Sequence, residues 1–223
     1  VLEDRGKTIG VVTAIAGPTR YKVRVEGLAD HSGATPMSIR RDALMGAAEM
    51  ILDLERLSRA TDQCVGTVGV IRAFPGAVHT IPGAVEFYVD IRGVHAPDKT
   101  RLVEAFREAM EGRARERDLG LSMETFVDEP PVTCTDWVVA DLTRVCEDLD
   151  ANFMVMPSGA GHDTQHIAAV ADVGMVFIPS GGGIAHTPEE YTPIEDVAYG
   201  TEVLAEALAR LADQEVTDVG AIR

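Results

Sequence analysis

The sequence predicts a chain in two parts, an α+β unit of βαββαβ order and an α/β alternation after it. Between Tyr21 and Val127 the hydrophobic period reads strand, helix, strand, strand, helix, strand. That split βαβ order packs its helices on one face of an antiparallel sheet. After Pro130-Pro131 short apolar strands alternate with helices and glycine-rich turns. The sheet's second face is then either solvated or covered, a second copy of the chain being one candidate.

Each element has its own signal. Ile9 to Ile15 is an apolar run of strand length, closed by Gly17-Pro18. Tyr21 to Glu26 alternates apolar and charged residues, as a half-buried strand does. His31 to Pro36 is a turn-rich loop, Ser38 is the expected helix cap, and Ala43 to Leu57 carries apolar residues at helical spacing. Val65 to Phe74 and Val85 to Ile91 read as strands, bounded by Pro75-Gly76 and Pro82-Gly83. Pro97-Asp98 opens a helix with Leu102, Val103, Phe106 and Met110 on one face, and Leu121 to Val127 is the next strand. In the second part, Trp137 to Leu149 reads as a helix and Phe153 to Met156 as a strand. A short helix is expected over Asp163 to Ala171, a strand over Met175 to Ile178, and a last helix over Ile194 to Leu211. The tail from Gln214 to Arg223 is expected to fray.

Composition excludes several function classes. With Lys+Arg 20 against Asp+Glu 36 the net charge is −16, which disfavours nucleic acid and anionic membranes as partners. Hydrophobic residues at 46% and charged residues at 25% are those of a globular chain rather than a disordered one. No apolar run approaches the roughly 20 residues that span a bilayer. Three widely spaced cysteines, Cys64, Cys134 and Cys146, fit a reducing compartment, hence the cytoplasm. The chain starts at Val1 without Met, so either a leader has been removed or a longer protein continues upstream.

Six histidines are present, and several sit in glycine- or proline-rich turns where a packing role is small. His162 and His166, four apart in Gly159-Ala160-Gly161-His162-Asp163-Thr164-Gln165-His166, could chelate zinc from one helix face. His186 follows a buried strand in a loop suited to a metal ligand, while Thr187, Pro188, Glu189 and Glu190 read as the cap and acidic start of a helix. His31 and His79 lie in loops of the βαββαβ unit. Arg92 follows its third strand, with a guanidinium suited to a carboxylate or, more simply, to a salt bridge with Asp90.

Taken together, these strings resemble the hydantoinase/carbamoylase branch of the M20 metallopeptidase-like amidohydrolases. The residues that carry the resemblance are Asp30 to Met37, Ile81-Pro82-Gly83 with Asp90-Ile91-Arg92, Gly159 to Asp163, and His186 to Glu190, in the family's order. The resemblance implies a ferredoxin-like βαββαβ lid (dimerisation) domain over residues 18–131, inserted in an incomplete α/β zinc-peptidase-like catalytic domain. Residues 1–17 would be an edge strand of that catalytic domain, and 132–223 its C-terminal part. It implies hydrolysis of a ureido or amide C–N bond in N-carbamoyl-L-amino acids or related carboxylate substrates by two divalent ions (Zn, Mn or Co). Of the metal ligands only His186 has a counterpart here, and the general-base glutamate has none, so the chain alone is expected to be inactive, its metals absent or incomplete. Arg92 would bind the substrate carboxylate, His31 would stabilise the oxyanion from the partner subunit's lid, and His162 would border substrate and metals. His79 stands where the family usually has Asn, which changes the donors offered to the carboxylate. The expected partner is a second copy, joined through the lid. Two alternatives stay open: a non-catalytic, dimerising carboxylate-binding fragment, and a small zinc protein built on His162, His166 and His186.

Overall fold

In the computed structural model, which describes residues 1–213, the chain divides into two units. One comprises Val1–Ile15 and the chain from Val132 onward, the other Ala16–Pro131. The tail expected to fray, Gln214 to Arg223, lies outside the described residues.

The first unit begins with β1 (Ile9–Ile15), and the chain then enters the second unit as β2 (Gly17–Glu26). That unit continues through β3 (Asp30–His31), α1 (Ala43–Arg59), β4 (Cys64–Phe74), β5 (Thr80–Ile81), β6 (Ala84–Gly93), α2 (Ala96–Glu116) and β7 (Gly120–Asp128). Its main sheet has the order β4-β6-β2-β7, and every neighbouring pair is antiparallel. The alternation read in the sequence decides which face is buried. Tyr21, Val23 and Val25 of β2 and Val85, Phe87, Val89 and Ile91 of β6 form one core with Ala47, Met50 and Leu54 of α1 and Phe106 and Met110 of α2. The opposite face answers the question left by the pattern. At its centre it is a ladder of cross-strand charges, with Arg20 on Asp90 at 3.0 Å and Arg24 on Glu86 at 2.9 Å. The register opposes these residues directly, the geometry in which opposite charges stabilise a strand pair. Two local expectations are corrected. The cap of α1 is Asp42 rather than Ser38: its Oδ1 accepts the N–H groups of Leu44 and Met45, whereas Ser38 lies in a separate 3-10 turn at Met37–Ile39. The β3–β5 pair was not foreseen.

An ion-pair network joins the two helices. Asp53 of α1 is 6% exposed and receives Nε of Arg113 at 2.8 Å and Nη2 of Arg56 at 3.1 Å. Glu49 one turn earlier pairs with Arg117.

The first unit resumes with β8 (Val132–Thr133), α3 (Asp136–Asp148), β9 (Phe153–Ser158), α4 (Thr164–Ile167), β10 (Met175–Phe177) and α5 (Ile194–Asp213). β1, expected as an edge strand, is instead the central strand, parallel to β9 and antiparallel to β10 and β8, so it has neighbours on both sides. Ile9 and Val11 pack with Val138, Leu142 and Val145 of α3 and Val203 and Ala207 of α5. This burial explains why β1 reads as a continuous apolar run. Two helices differ from expectation. α4 is a single turn, not the stretch from Asp163 to Ala171, and residues 187–190 start no helix. There Glu190 turns back, its carboxylate accepting the His186 N–H at 2.9 Å, and α5 begins only after Pro193.

The Asp53 network generates a stability prediction. The hydrogen bonds from Arg113 hold the Asp53 carboxyl below the ordinary carboxylate range, with burial opposing them. A depressed folded-state pKa gives stability that is complete above the unfolded value of ~3.9 and is lost as pH falls through the folded value. Asp53→Asn is expected to lower the unfolding free energy by about 1–3 kcal/mol at neutral pH. The gap to the parent chain should narrow progressively as pH falls below the unfolded value of ~3.9. Urea titrations at neutral and acid pH check this; a gap independent of pH would show that the charge is not what matters.

Candidate functional site

Two short loops of the βαββαβ unit are stitched together by β3 and β5. Asp30 lies opposite Ile81 and His31 opposite Thr80, and the Ser32 N–H donates to the His79 carbonyl at 3.0 Å. The loops can meet because Gly83 has no side chain: a Cβ there would stand 2.8 Å from the Ala29 nitrogen. His31 is thus fixed by its own neighbours. Its Nδ1 accepts the N–H groups of Gly33 at 3.0 Å and Ala34 at 3.2 Å. An imidazole nitrogen that accepts carries no proton, so the neutral ring is protonated at Nε2, which is then a donor. Thr35 bonds the His31 carbonyl through its hydroxyl at 2.9 Å, and Asp30 accepts the His31 N–H at 2.7 Å. That last bond is the main reason the Asp30 carboxyl sits below the ordinary range.

Arg92 takes the salt-bridge geometry. Its Nε and Nη2 each lie 3.0 Å from one oxygen of Asp90. The same carboxylate receives Arg20 Nε at 3.0 Å. Burial pushes the Asp90 pKa up, but the two guanidiniums outweigh it and hold the group ionised below the usual range. Arg92 is raised in turn, chiefly by Asp90, and stays charged.

The structure therefore brings His31 and His79 together but separates both from Arg92. Arg92 sits at one end of β6, opposite Pro18 and Val65; the histidine loops adjoin the other end, before Ala84. At about 3.3 Å per strand residue, Ala84 and Arg92 are about 25 Å apart.

In the other unit, Ser158 is buried at the end of β9, and its Oγ lies 2.8 Å from His162 Nε2. The His162 ring stands 5.5 Å from that of Phe177, and the His162 main-chain N–H donates to Gln165 Oε1 at 3.1 Å. His162 precedes α4, while His166 lies within it, so the two do not form the one-face chelate expected of a longer helix. Among the described residues, no group of three or more His, Cys, Asp or Glu side chains is placed to hold a metal ion. The three-histidine zinc reading is corrected on that ground. His186 is exposed at φ 62°, a left-handed conformation that costs a non-glycine residue energy. Its N–H bond to Glu190 helps hold it there. His95 is structural, with Nδ1 on Asp98 at 2.7 Å beside the start of α2. Sequence reasoning missed Ser158, Gln165 and Arg40 as supports. Their spacing from the site histidines, four, three and nine residues, is the only signal it offered.

The described peptidase family M20/M25/M40 matches residues 3–210 of this chain. An N-carbamoyl-L-amino acid amidohydrolase of Geobacillus stearothermophilus is 39% identical over 215 residues, 96% of this chain and 53% of that protein. Allantoate amidohydrolase of Escherichia coli K12 is 38% identical over 216 residues, 96% of this chain and 53% of that protein. The crystal structure of an amidase of the hydantoinase/carbamoylase family from Burkholderia multivorans superposes with a TM-score of 0.93 at 32% identity, covering 97% of this chain and 53% of that one. The chain spans about half the length of the curated relatives it matches.

Ser158 gives this site its own prediction. Ser158→Ala leaves His162 Nε2 and the Ala160 N–H without their shared partner. An unfolding free energy lower by about 1–3 kcal/mol is expected. A change in the His162 ring nitrogen resonances should accompany it. Unaltered resonances would mean that the hydroxyl does not hold the ring.

Proposed function

Because the chain belongs to peptidase family M20/M25/M40, in its hydantoinase/carbamoylase branch, we propose that it is part of a hydrolase cleaving the C–N bond of N-carbamoyl-L-amino acids or related ureido or amide substrates. Amidohydrolases of this family generally use divalent metals. The described residues do not make a metal centre by themselves, and His186 would supply one ligand to a centre completed by residues outside this chain. The chain's own residues bind and orient. Arg92, held by Asp90, takes the substrate carboxylate in a planar fork. His31 offers its Nε2–H to the oxygen that gains charge as the carbonyl is attacked. His79 lies beside His31 and adds a contact to the carboxylate end, and His162, backed by Ser158, borders the reacting group.

The observation that carries this reading is the length of β6 between the two groups. A separation of about 25 Å exceeds a small substrate, so His31 and Arg92 of one chain cannot both touch it. Two copies resolve this if His31 and His79 of one reach the site formed with Arg92 of the other. The surface that supports pairing is β4, an edge strand of 11 residues with Val65, Val70, Ile71 and Phe74 exposed. Such an edge is a template for another strand. Leu52 and Met45, exposed on α1, extend the apolar area. We place the protein in the cytoplasm, supported by three buried, unpaired thiols. No helix among the described residues is long and apolar enough to cross a membrane. A non-catalytic carboxylate-binding dimer would use the same surfaces, and the assay below separates the two.

With Zn, Mn or Co added, this chain alone is expected to hydrolyse no N-carbamoyl-L-amino acid, and supplying the N-terminal half of a relative is expected to restore turnover. In an active full-length enzyme Arg92→Met should raise KM by about 10- to 150-fold, the loss of a charge-assisted pair. Robust turnover by these 223 residues would overturn the assignment of ligands. Sedimentation should show a dimer that Val70→Lys with Ile71→Lys converts to monomer with unchanged far-UV dichroism; a monomeric parent chain would remove the shared site.

A further inference from the structure

The loop that fixes His31 has almost no packing of its own. His31, Gly33 and Ala34 are exposed, and Ser32 and Thr35 are only partly buried. Besides the bonds of Ser32 to His79 and Thr35 to His31, the loop is held by Arg40. Its Nε and Nη2 both reach the Thr35 carbonyl, at 3.0 and 2.9 Å, and Nη2 also bonds the Ser32 carbonyl. All of these bonds go to main-chain oxygens, so the guanidinium is committed to the shape of one loop.

The consequence follows from the planarity of the peptide. The Ser32 carbonyl and the Gly33 N–H belong to one rigid plane and point in opposite directions. Fastening the carbonyl to Arg40 therefore aims the N–H at the other side, where it meets His31 Nδ1 at 3.0 Å. Anchoring Thr35 fixes the far end of the same turn, and the Ala34 N–H joins the first donor at 3.2 Å. The His31 main chain is held independently by Asp30 and the β3–β5 pair, so Arg40 governs the ring rather than the position of the residue.

We propose that Arg40 is a positioning residue that sets the tautomer of His31, keeping the proton on Nε2 and that donor pointed away from its own loop. The chemical purpose of this rests on His31 acting as an oxyanion donor, but the tautomer can be measured without any reaction. Lysine cannot replace Arg40 in full: an ammonium could stand where Nη2 bonds both carbonyls, but it has no counterpart of the Nε–H that also holds Thr35.

The test is nitrogen NMR of the chain labelled with 15N-histidine, recorded at a pH where the ring is neutral. The parent chain should show His31 with an acceptor-type Nδ1 and a protonated Nε2. In Arg40→Ala both resonances should move toward the tautomer-averaged position, and in Arg40→Lys part of the way, with far-UV dichroism unchanged. Should Arg40→Ala not fold, the partial shift in Arg40→Lys decides. A pure Nε2–H form that persists in the folded variants, or its absence from the parent chain, overturns the proposal. In a full-length enzyme the matching substitution should lower kcat more than it raises KM. Tautomer mixing without any change in hydrolysis would leave Arg40's role standing and remove the oxyanion reading of His31 instead.

Discussion

The βαββαβ unit depends on one register, that of β2 against β6. Ten consecutive residues, Gly17 to Glu26, lie opposite Gly93 to Ala84. A slip of β2 by one residue would exchange its two faces, sending Val23 to solvent and Arg24 into the core. The register is thus held twice. Apolar burial secures one face, at about 25 cal/mol per Å² removed from water, and opposed charges secure the other. The apolar term is the larger, since exposed pairs contribute about 0–1 kcal/mol each. The charges act mainly by penalising the wrong alignment.

The same register distributes the chemistry. Because β6 runs unbroken from Ala84 to Gly93, whatever precedes it is delivered to one end of the sheet and whatever closes it to the other. His79 belongs to the first group and Arg92 to the second. β3 then clips the His31 loop to the His79 loop, so the histidines share an end by pairing rather than by closeness in sequence. A rigid strand acts as a spacer here. The separation it imposes is a property of strand geometry and does not vary with side-chain rotamers.

Much of this was legible in the sequence. The four long strands and both helices of the unit follow from alternation in Val85 to Ile91 and from the spacing of Leu102, Phe106 and Met110. What was not legible is short or non-local. β3 and β5 are two residues each, below the length at which a period can be recognised. Asp42 rather than Ser38 caps α1 because capping requires extended backbone immediately before the first turn, which Asp42 has at φ −81°, ψ 105°. Pro188 with Glu189 and Glu190 imitates a helix start, but Glu190 bonds the His186 N–H within its own loop, and the helix begins later. Arg40 gave no sign beyond its nine-residue spacing from His31, since bonds from an arginine to main-chain carbonyls leave no pattern in composition or period.

In the proposed reading, Arg92 draws an anionic substrate to a chain with a net charge of −16. Beyond about 8–10 Å of water, salt screens the acidic surface, so the total matters little at contact. At contact the balance is different. Asp90 is shared by Arg92 and Arg20, two guanidiniums on one carboxylate. The carboxylate also orients Arg92, since both of its oxygens are engaged by that guanidinium. Removing Asp90 would raise the local positive charge yet release the fork from its plane. Whether affinity then rises or falls measures whether charge or orientation governs recognition. For a small, planar carboxylate in a partly buried setting orientation is the stronger term, because a bidentate pair depends on geometry more steeply than a Coulomb attraction does.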